Sequence, residues 1–545
     1  MAQSTIKSLL VAGLVLPIGG IQTIALAENV DPSSIKNEST MTTPKKESPV
    51  KNKYDEQFCK AIEYLFRGDT ENAKKHMLSA ADRNYPPALW YAYRLSGDEK
   101  YLIATAKANG KRAFFNAAVA IINKNFPNTS LEDYKMAYRW YLSVTEEQLT
   151  EEAFAAMCNI GQMHLYGQGG LTPDYEKAMA WYQKAADHFY PRALREIGVK
   201  YVNMSSKTSS LSEKKYLLGL GYSHLAMAAF RGDARASEMI SKENNLDIPI
   251  SDKTFVAAAR RFVETKQFSD DIIKPLQTVH SENHLFTNIL LGEYYLNTDK
   301  NVSIQYYRKA ARQGSVFAKK FLANAIFYNI VPLDEQIMYC KELSDLGYRM
   351  WRHNYASLLE KKGDMQHAIQ IYQKNADDGD AHSKYRMFNL IMVNKAKGFS
   401  IPKALIYLIE ASQQHYGDAE VTMGGFMMRD LLKISPRDAM IMLMKGIIDG
   451  VSNAELYDIT LGEIAEGYAY GRGVVKDAEF ARQICLQRVK AGNAQGYLAL
   501  GLFYEQGVFG KKDAESAKKY YKAGANMGNI YCQGALDRLN SKTNK

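Results

Sequence analysis

The sequence predicts an all-α protein, a right-handed superhelical solenoid of stacked helical hairpins. Three observations carry that reading. The phrase KDAEFA at 476–481 returns as KDAESA at 512–517. The match extends at the same spacing of 36 residues through Tyr468 and Tyr504, Gly471 and Gly507, Gly492 and Gly528, and Asn493 and Asn529. Within each copy the apolar positions recur at helical spacing: Ala478, Ala481, Cys485 and Val489 in one, Ala514, Ala517, Tyr521 and Ala525 in the other. Finally, 46% hydrophobic and 11% aromatic content, with 36 Tyr, describes a large buried core rather than a disordered chain. Ordinary domains would divide 545 residues into roughly three or four, but an internal period of this length points to stacked repeats instead.

In chain order the first element is a secretory signal at 1–27: Lys7 precedes a short apolar run, interrupted by Pro17, Gly19 and Gly20, that ends in Ala25, Leu26 and Ala27. No Cys stands at that junction, which argues against a lipoprotein anchor. Residues 28–53 follow as a disordered tether, rich in Pro, Ser, Thr, Lys and Glu and without an aromatic. Its 26 residues reach on the order of 30 Å. Helical repeats are expected over 54–240, an irregular helical segment or insertion over 241–285, and further helical repeats over 286–545. After signal cleavage no apolar run is long enough for an integral membrane segment.

Each repeat reads as helix, Gly-bearing loop, second helix and tight turn. Asp477 and Asp513 stand where an N-cap is needed, with Glu479 and Glu515 in the first turn, where the helix dipole favours negative charge. Gly492 and Gly528 fall just past the second helix, where a left-handed residue closes it. The same turn glycine is expected at Gly232, Gly314, Gly379 and Gly450, giving about ten units between Tyr54 and Asn540. Two short helices cannot bury their apolar faces alone, so neighbouring units must stack.

These phrases resemble the Sel-one-like repeat family, a subgroup of tetratricopeptide-like helical solenoids. Its motif runs roughly L-G-x-x-Y-x-x-G-x-G-V, then D-x-x-K-A and W-Y-x-K-A-A. IGQMHLYGQG and DYEKAMAWYQKAA within 160–186, YYRKAARQG at 306–314, and AYGRGVVKDAEFA at 469–481 match it. The resemblance is strong over 156–193 and 464–532 and faint over most of the rest. A polar insertion at 203–216 and the stretch 241–277 depart from it.

Charge and cysteine usage narrow the function classes. The net charge of +10 becomes +9 without the signal's single Lys, and basic and acidic residues alternate rather than cluster. That is a solvated surface, and with export it excludes nucleic acid as an expected partner. Cys59, Cys158, Cys340, Cys485 and Cys532 sit singly in apolar helical contexts; their odd number leaves at least one free, and they read as small buried hydrophobes.

Candidate chemistry is sparse. His280 and His284 stand four apart with Glu282 between, a spacing that can hold a metal on a helix, but the HExxH order and a third ligand are missing. GYSHL, 221–225, has Leu225 where a nucleophile elbow needs Gly. The glycine clusters YGQGG and YGRG lack the Lys-Ser/Thr of a phosphate loop and fall at the loop inside each repeat. The acid pairs Glu146 with Glu147 and Asp377 with Asp378 read as capping and solvated groups of loops or helix starts.

Accordingly no catalytic, cofactor-binding or metal residue is assigned, and no cofactor is expected. The resemblance implies a non-enzymatic periplasmic scaffold or adaptor mediating protein–protein interactions in a cell-envelope assembly, with polysaccharide export as one setting. Its partners would be proteins, envelope or secretion components among them, or a polysaccharide. The alternatives are a secreted effector that binds host proteins and, more remotely, a metal-dependent hydrolase around His280 and His284. Functional residues are expected where copies differ, as at Arg472, Glu505 and Gln506 beside the loops.

Overall fold

A computed structural model describes residues 54–108, 110, 113–125, 129–147, 150–242, 246–278, 284–324, 330–428 and 435–543. The expected signal and tether lie outside them. Among the described residues there is no strand, and 28 α-helices follow one another. The first are α1 (Glu56–Phe66), α2 (Thr70–Ala81), α3 (Pro86–Ser96), α4 (Glu99–Lys107), α5 (Phe114–Asn125), α6 (Leu131–Glu147), α7 (Glu151–Tyr166), α8 (Tyr175–Ala186), α9 (Pro191–Ser205) and α10 (Leu211–Phe230). Next come α11 (Ala234–Lys242), α12 (Ile250–Thr265), α13 (Asp270–Thr278), α14 (Leu285–Tyr295), α15 (Lys300–Arg312), α16 (Val316–Ala323), α17 (Leu333–Asp345), α18 (Arg349–Lys362), α19 (Met365–Asp377) and α20 (Ala381–Met392). The last are α21 (Ile401–Gln413), α22 (Gly417–Met428), α23 (Pro436–Asp449), α24 (Ala454–Tyr470), α25 (Ala478–Lys490), α26 (Ala494–Gln506), α27 (Ala514–Asn526) and α28 (Ile530–Thr543). No described helix is long and apolar enough to cross a membrane.

The signals that define the repeat act as the sequence predicts. Asp477 accepts from the Phe480 amide and Asp513 from the Ser516 amide, each at 2.9 Å. Asp174, Asp299 and Asp364 cap α8, α15 and α19 in the same way. Gly492 and Gly528 adopt φ of 80° and 84°, a region closed to most side chains. Eight residues after four of these caps, a little over two helical turns, a tyrosine enters the core: Tyr182, Tyr307, Tyr372 and Tyr521, none more than 2% exposed. The preceding helix makes room with a small residue. A Cβ on Gly292 would stand 3.0 Å from the Tyr307 ring, and one on Gly501 would collide with Tyr521.

The chain packs as two compact units. One joins the chain up to Ala73 with Leu408–Lys545. In it α1 buries Phe58, Cys59, Ala61 and Ile62 and lies against α23. Arg437 bonds Glu56 at 2.8 Å, and Arg67 bonds Asp477 at 2.8 Å while stacking over Tyr468 and Phe480. These contacts join residues about 400 apart in sequence, and no local pattern announces them.

The second unit is Lys74–Tyr407. Its largest core runs without a break from Phe154 to Leu358. Ends of several repeats meet there. Phe189 sits 5.8 Å from Phe286 and 5.0 Å from Phe317, and the Arg231 guanidinium lies over Phe317 and pairs with Glu293. His188 stacks on Phe154 at 4.5 Å with Tyr348 edge-on. Phe189 holds a φ of 60°, unusual for a side chain of its size, and its ring is anchored in this aromatic cluster. The segment that departs from the repeat is helical here as α12 and α13.

Candidate functional site

The residues singled out for chemistry divide into three groups. His280 and Glu282 lie outside the described residues, as do the side chains of Glu146 and Glu147. His284 is not part of a helical i, i+4 pair: it is the N-cap of α14, its Nδ1 accepting from the Thr287 amide at 3.2 Å. Because Nδ1 accepts, the proton is on Nε2, which faces Asp252 Oδ1 at 3.3 Å. Ser223 of the GYSHL phrase joins the same group, its hydroxyl donating to Asp252 at 2.6 Å. Serine, histidine and aspartate thus meet across 61 residues of sequence, but in the wrong order for nucleophilic catalysis. The serine proton goes to the carboxylate, the histidine proton goes to the same oxygen, and Ser223 is 1% exposed. Burial alone would raise the Asp252 carboxyl; the hydrogen bonds from His284 and Ser223 hold it below the usual carboxylate value. The group ties α10, α12 and α14 together.

The glycine clusters are structural. Gly167, Gly169 and Gly170 take φ of 67° to 77° in the loop after α7, and a Cβ on Gly473 would collide with the Pro436 carbonyl. Asp377 and Asp378 stand at the C-terminal end of α19, not at a loop or helix start. Asp377 accepts from the Tyr407 hydroxyl at 3.0 Å, and Asp378 pairs with Arg352. Asp377 fastens its repeat to the next, and Asp378 joins the two helices of its own repeat. All five cysteines are free and buried. Burial pushes the thiols of Cys59, Cys158, Cys340 and Cys485 up to about 12, which makes them inert.

Sequence reading missed two charged features. In the first, His415, Glu420 and Asp449 bring three ligand-type atoms within 4.8 Å of one another. The Lys445 ammonium already sits among them, 2.8 Å from His415 Nδ1, 2.7 Å from Asp449 and bonded to Glu420. A cation is therefore built in, and the donor set serves it rather than a metal. Lys445, Glu420 and Asp449 expose 5%, 2% and 0% of their side chains. Only the step of four residues from Lys445 to Asp449 shares a helix face, so spacing alone could not bring His415 or Glu420 in.

The second is a groove of about 460 Å³ between α15 and α17, floored by α16. It exists because α16, at 8 residues, is much shorter than α14, α18 or α26, with 11, 14 and 13. Arg308, Ala311, Arg312, Lys319, Met338 and Tyr339 line it with Glu335 and Glu342. Arg308 holds Glu335 with two parallel bonds of 2.8 and 2.7 Å, and Lys319 holds Glu342 at 2.7 Å. Arg312 is exposed and has no partner among the described residues. Met338 is 44% exposed, while Tyr339 is buried, with 7% of its surface exposed. Burial, and then the Glu335 carboxylate, push the Tyr339 phenol up, so it stays a neutral donor. Tyr339, one residue before the core position that Cys340 fills in this helix, stands where other repeats carry Trp181, Tyr306 and Tyr520, so the repeat pattern itself places an aromatic there.

Four stretches of the chain match the family model described as Sel1 repeat: 154–188, 288–315, 461–485 and 494–529. The groove's α15 falls within the second of them. No curated protein matches the chain. Among solved structures it is similar to a protective antigen present in uropathogenic Escherichia coli strains that displays an SLR fold. That likeness has 18% identity and a TM-score of 0.43, over 82% of this chain and 91% of that one. It is also similar to a Sel1 repeat protein from Oxalobacter formigenes, with 17% identity and a TM-score of 0.39, over 62% of this chain and 94% of that one.

Proposed function

We propose that this chain, which carries Sel1 repeats in four places, is a non-enzymatic scaffold that holds protein partners. The observation that carries the reading is how the chemistry-bearing side chains are used. Ser223, Asp252 and His284 satisfy one another, Lys445 neutralises its acids, and the thiols are buried. What faces outward instead is a groove with an exposed Met338 and with Arg312, which has no partner among the described residues. Arg, Tyr and Met are residue types enriched where proteins meet.

The finer setting in this proposal is the bacterial periplasm and an envelope assembly, with polysaccharide export as one such assembly. It is supported by the signal-like anatomy of 1–27 and the low-complexity stretch 28–53. In-cell crosslinking of the full chain, followed by mass spectrometry of captured proteins and by cell fractionation, tests it. The expected result is one or a few reproducible partners in the periplasmic fraction. Capture of the chain alone would remove the scaffold reading, and recovery from the medium would move it to the secreted alternative.

A further inference from the structure

The position thirteen residues after the capping aspartate, at the end of each repeat's second helix, bears on the groove. It is Asp187 just after α8, Asp377 on α19 and Asn526 on α27, and a cation at Lys490 on α25 and at Arg312 on α15. Asp377 shows what an acid does there. It reaches across to the next repeat's second helix, taking the Tyr407 hydroxyl at 3.0 Å with the Lys403 ammonium at 3.7 Å. At α15 the charge is reversed, so the pairing would require an acid from α17. Both acids that α17 offers to the groove are already engaged, Glu335 by Arg308 and Glu342 by Lys319. Among the described residues Arg312 is therefore a cation without an acid from α17, beside Tyr339, which stands where the second helices of other repeats carry Trp181, Tyr306 and Tyr520.

We propose that the groove between α15 and α17 docks an acidic-aliphatic segment of a protein partner. Its Glu or Asp carboxylate bonds the Arg312 guanidinium and the Tyr339 hydroxyl, and the neighbouring aliphatic side chain covers Met338 and Ala311. The inference rests on the scaffold reading for its class of partner. The planar guanidinium can take a carboxylate through two bonds, and among the described residues Arg312 has no acid partner. With three cations and two carboxylates, the groove walls carry one positive charge in excess, matched to one incoming acid. A carboxylate without an adjoining apolar group would leave Met338 in water, which favours a peptide over a uronic acid polymer.

The test uses the full chain and a fluorescein-labelled peptide of Leu-Glu steps, with fluorescence anisotropy as the readout. The same peptide with every Glu replaced by Gln, and an oligomer of galacturonic acid, are the other arms. Saturable binding of the Glu peptide is expected. It should weaken about tenfold for the Gln peptide and for Arg312→Ala, recover in part with Arg312→Lys, and weaken about threefold for Tyr339→Phe. Added salt should weaken the wild type more than Arg312→Ala. Arg312 is exposed, so its loss leaves the fold intact, which an unchanged circular dichroism melt verifies. Equal binding of the Gln peptide, indifference to Arg312→Ala, no peptide binding, or binding of the uronate oligomer alone would each overturn the proposal. The two readings fail separately. Partners crosslinked in cells with no Glu-peptide binding would leave the scaffold without this groove. Arg312-dependent peptide binding with no cellular partner would leave the groove without the scaffold.

Discussion

The two units handle buried polarity in opposite ways. In Leu408–Lys545 the interior holds full charges: Lys445 lies between Glu420 and Asp449 with His415 at the edge, and Asp438 is 1% exposed. In Lys74–Tyr407 three histidines, His188, His224 and His353, are instead kept neutral by their apolar surroundings. Burial lowers His188 to about 3 and His224 and His353 to about 4. A buried ion pair is sensitive to loss of a partner but not to mild acid, whereas a buried neutral imidazole is sensitive to acid and hardly at all to salt. One helical repeat therefore supports two kinds of interior, and each makes its unit vulnerable to a different perturbation.

The largest expected effect breaks the charged interior. Lys445→Ala leaves two buried carboxylates without their cation and should cost about 3–5 kcal/mol. Hydrogen exchange should show the loss in α22 and α23. Replacing the set together, Lys445→Met with Glu420→Gln and Asp449→Asn, should recover most of it, because the burial of net charge is then removed. If the single and triple variants were equally unstable, the cluster's worth would lie in packing and not in charge.

The acid response tests the other unit. Each of the three histidines binds its proton more weakly in the folded state than at its ordinary value of 6.5. Below about pH 6.5 the unfolded chain takes up protons that the native one refuses, so stability is full above that pH and declines as it falls. Each histidine contributes roughly 1.4 kcal/mol per pH unit until its folded value is reached. Exchange protection in α9, α10 and α18 should thus drop between pH 6.5 and 4.5, and His224→Phe should flatten the decline by one histidine's share. Around His224 the titratable neighbours are Asp252 and His284, and their opposed effects are small beside burial.

The comparison also marks what the sequence could disclose. The repeat was legible because it is local: Asp477, Asp513, Gly492 and Gly528 each act within a few residues of chain, and capping chemistry and helical period dictate their places. Neither polar interior was, because each is assembled across helices. His284 meets Ser223 and Asp252 only once α10, α12 and α14 are packed, and α1 finds α23 across almost the whole chain. The groove was half legible. Its tyrosine stands at a repeat position that carries aromatics elsewhere, but the opening itself follows from the shortness of α16, and no cap or glycine signals that length.

A smaller effect separates a glycine required by packing from one that is not. Gly501→Ala places a methyl group against the buried Tyr521 ring, which has no room to move, and should cost about 1–3 kcal/mol in thermal or urea unfolding. Gly534 sits in α28, and a Cβ there meets nothing within 4 Å among the described residues. Gly534→Ala should therefore stabilise by roughly 0.5–1 kcal/mol through the backbone entropy that alanine removes from the unfolded state. A loss at Gly534 would mean that its face is covered in solution, and the terminal repeat would then have a neighbour; stabilisation independent of protein concentration leaves that face free.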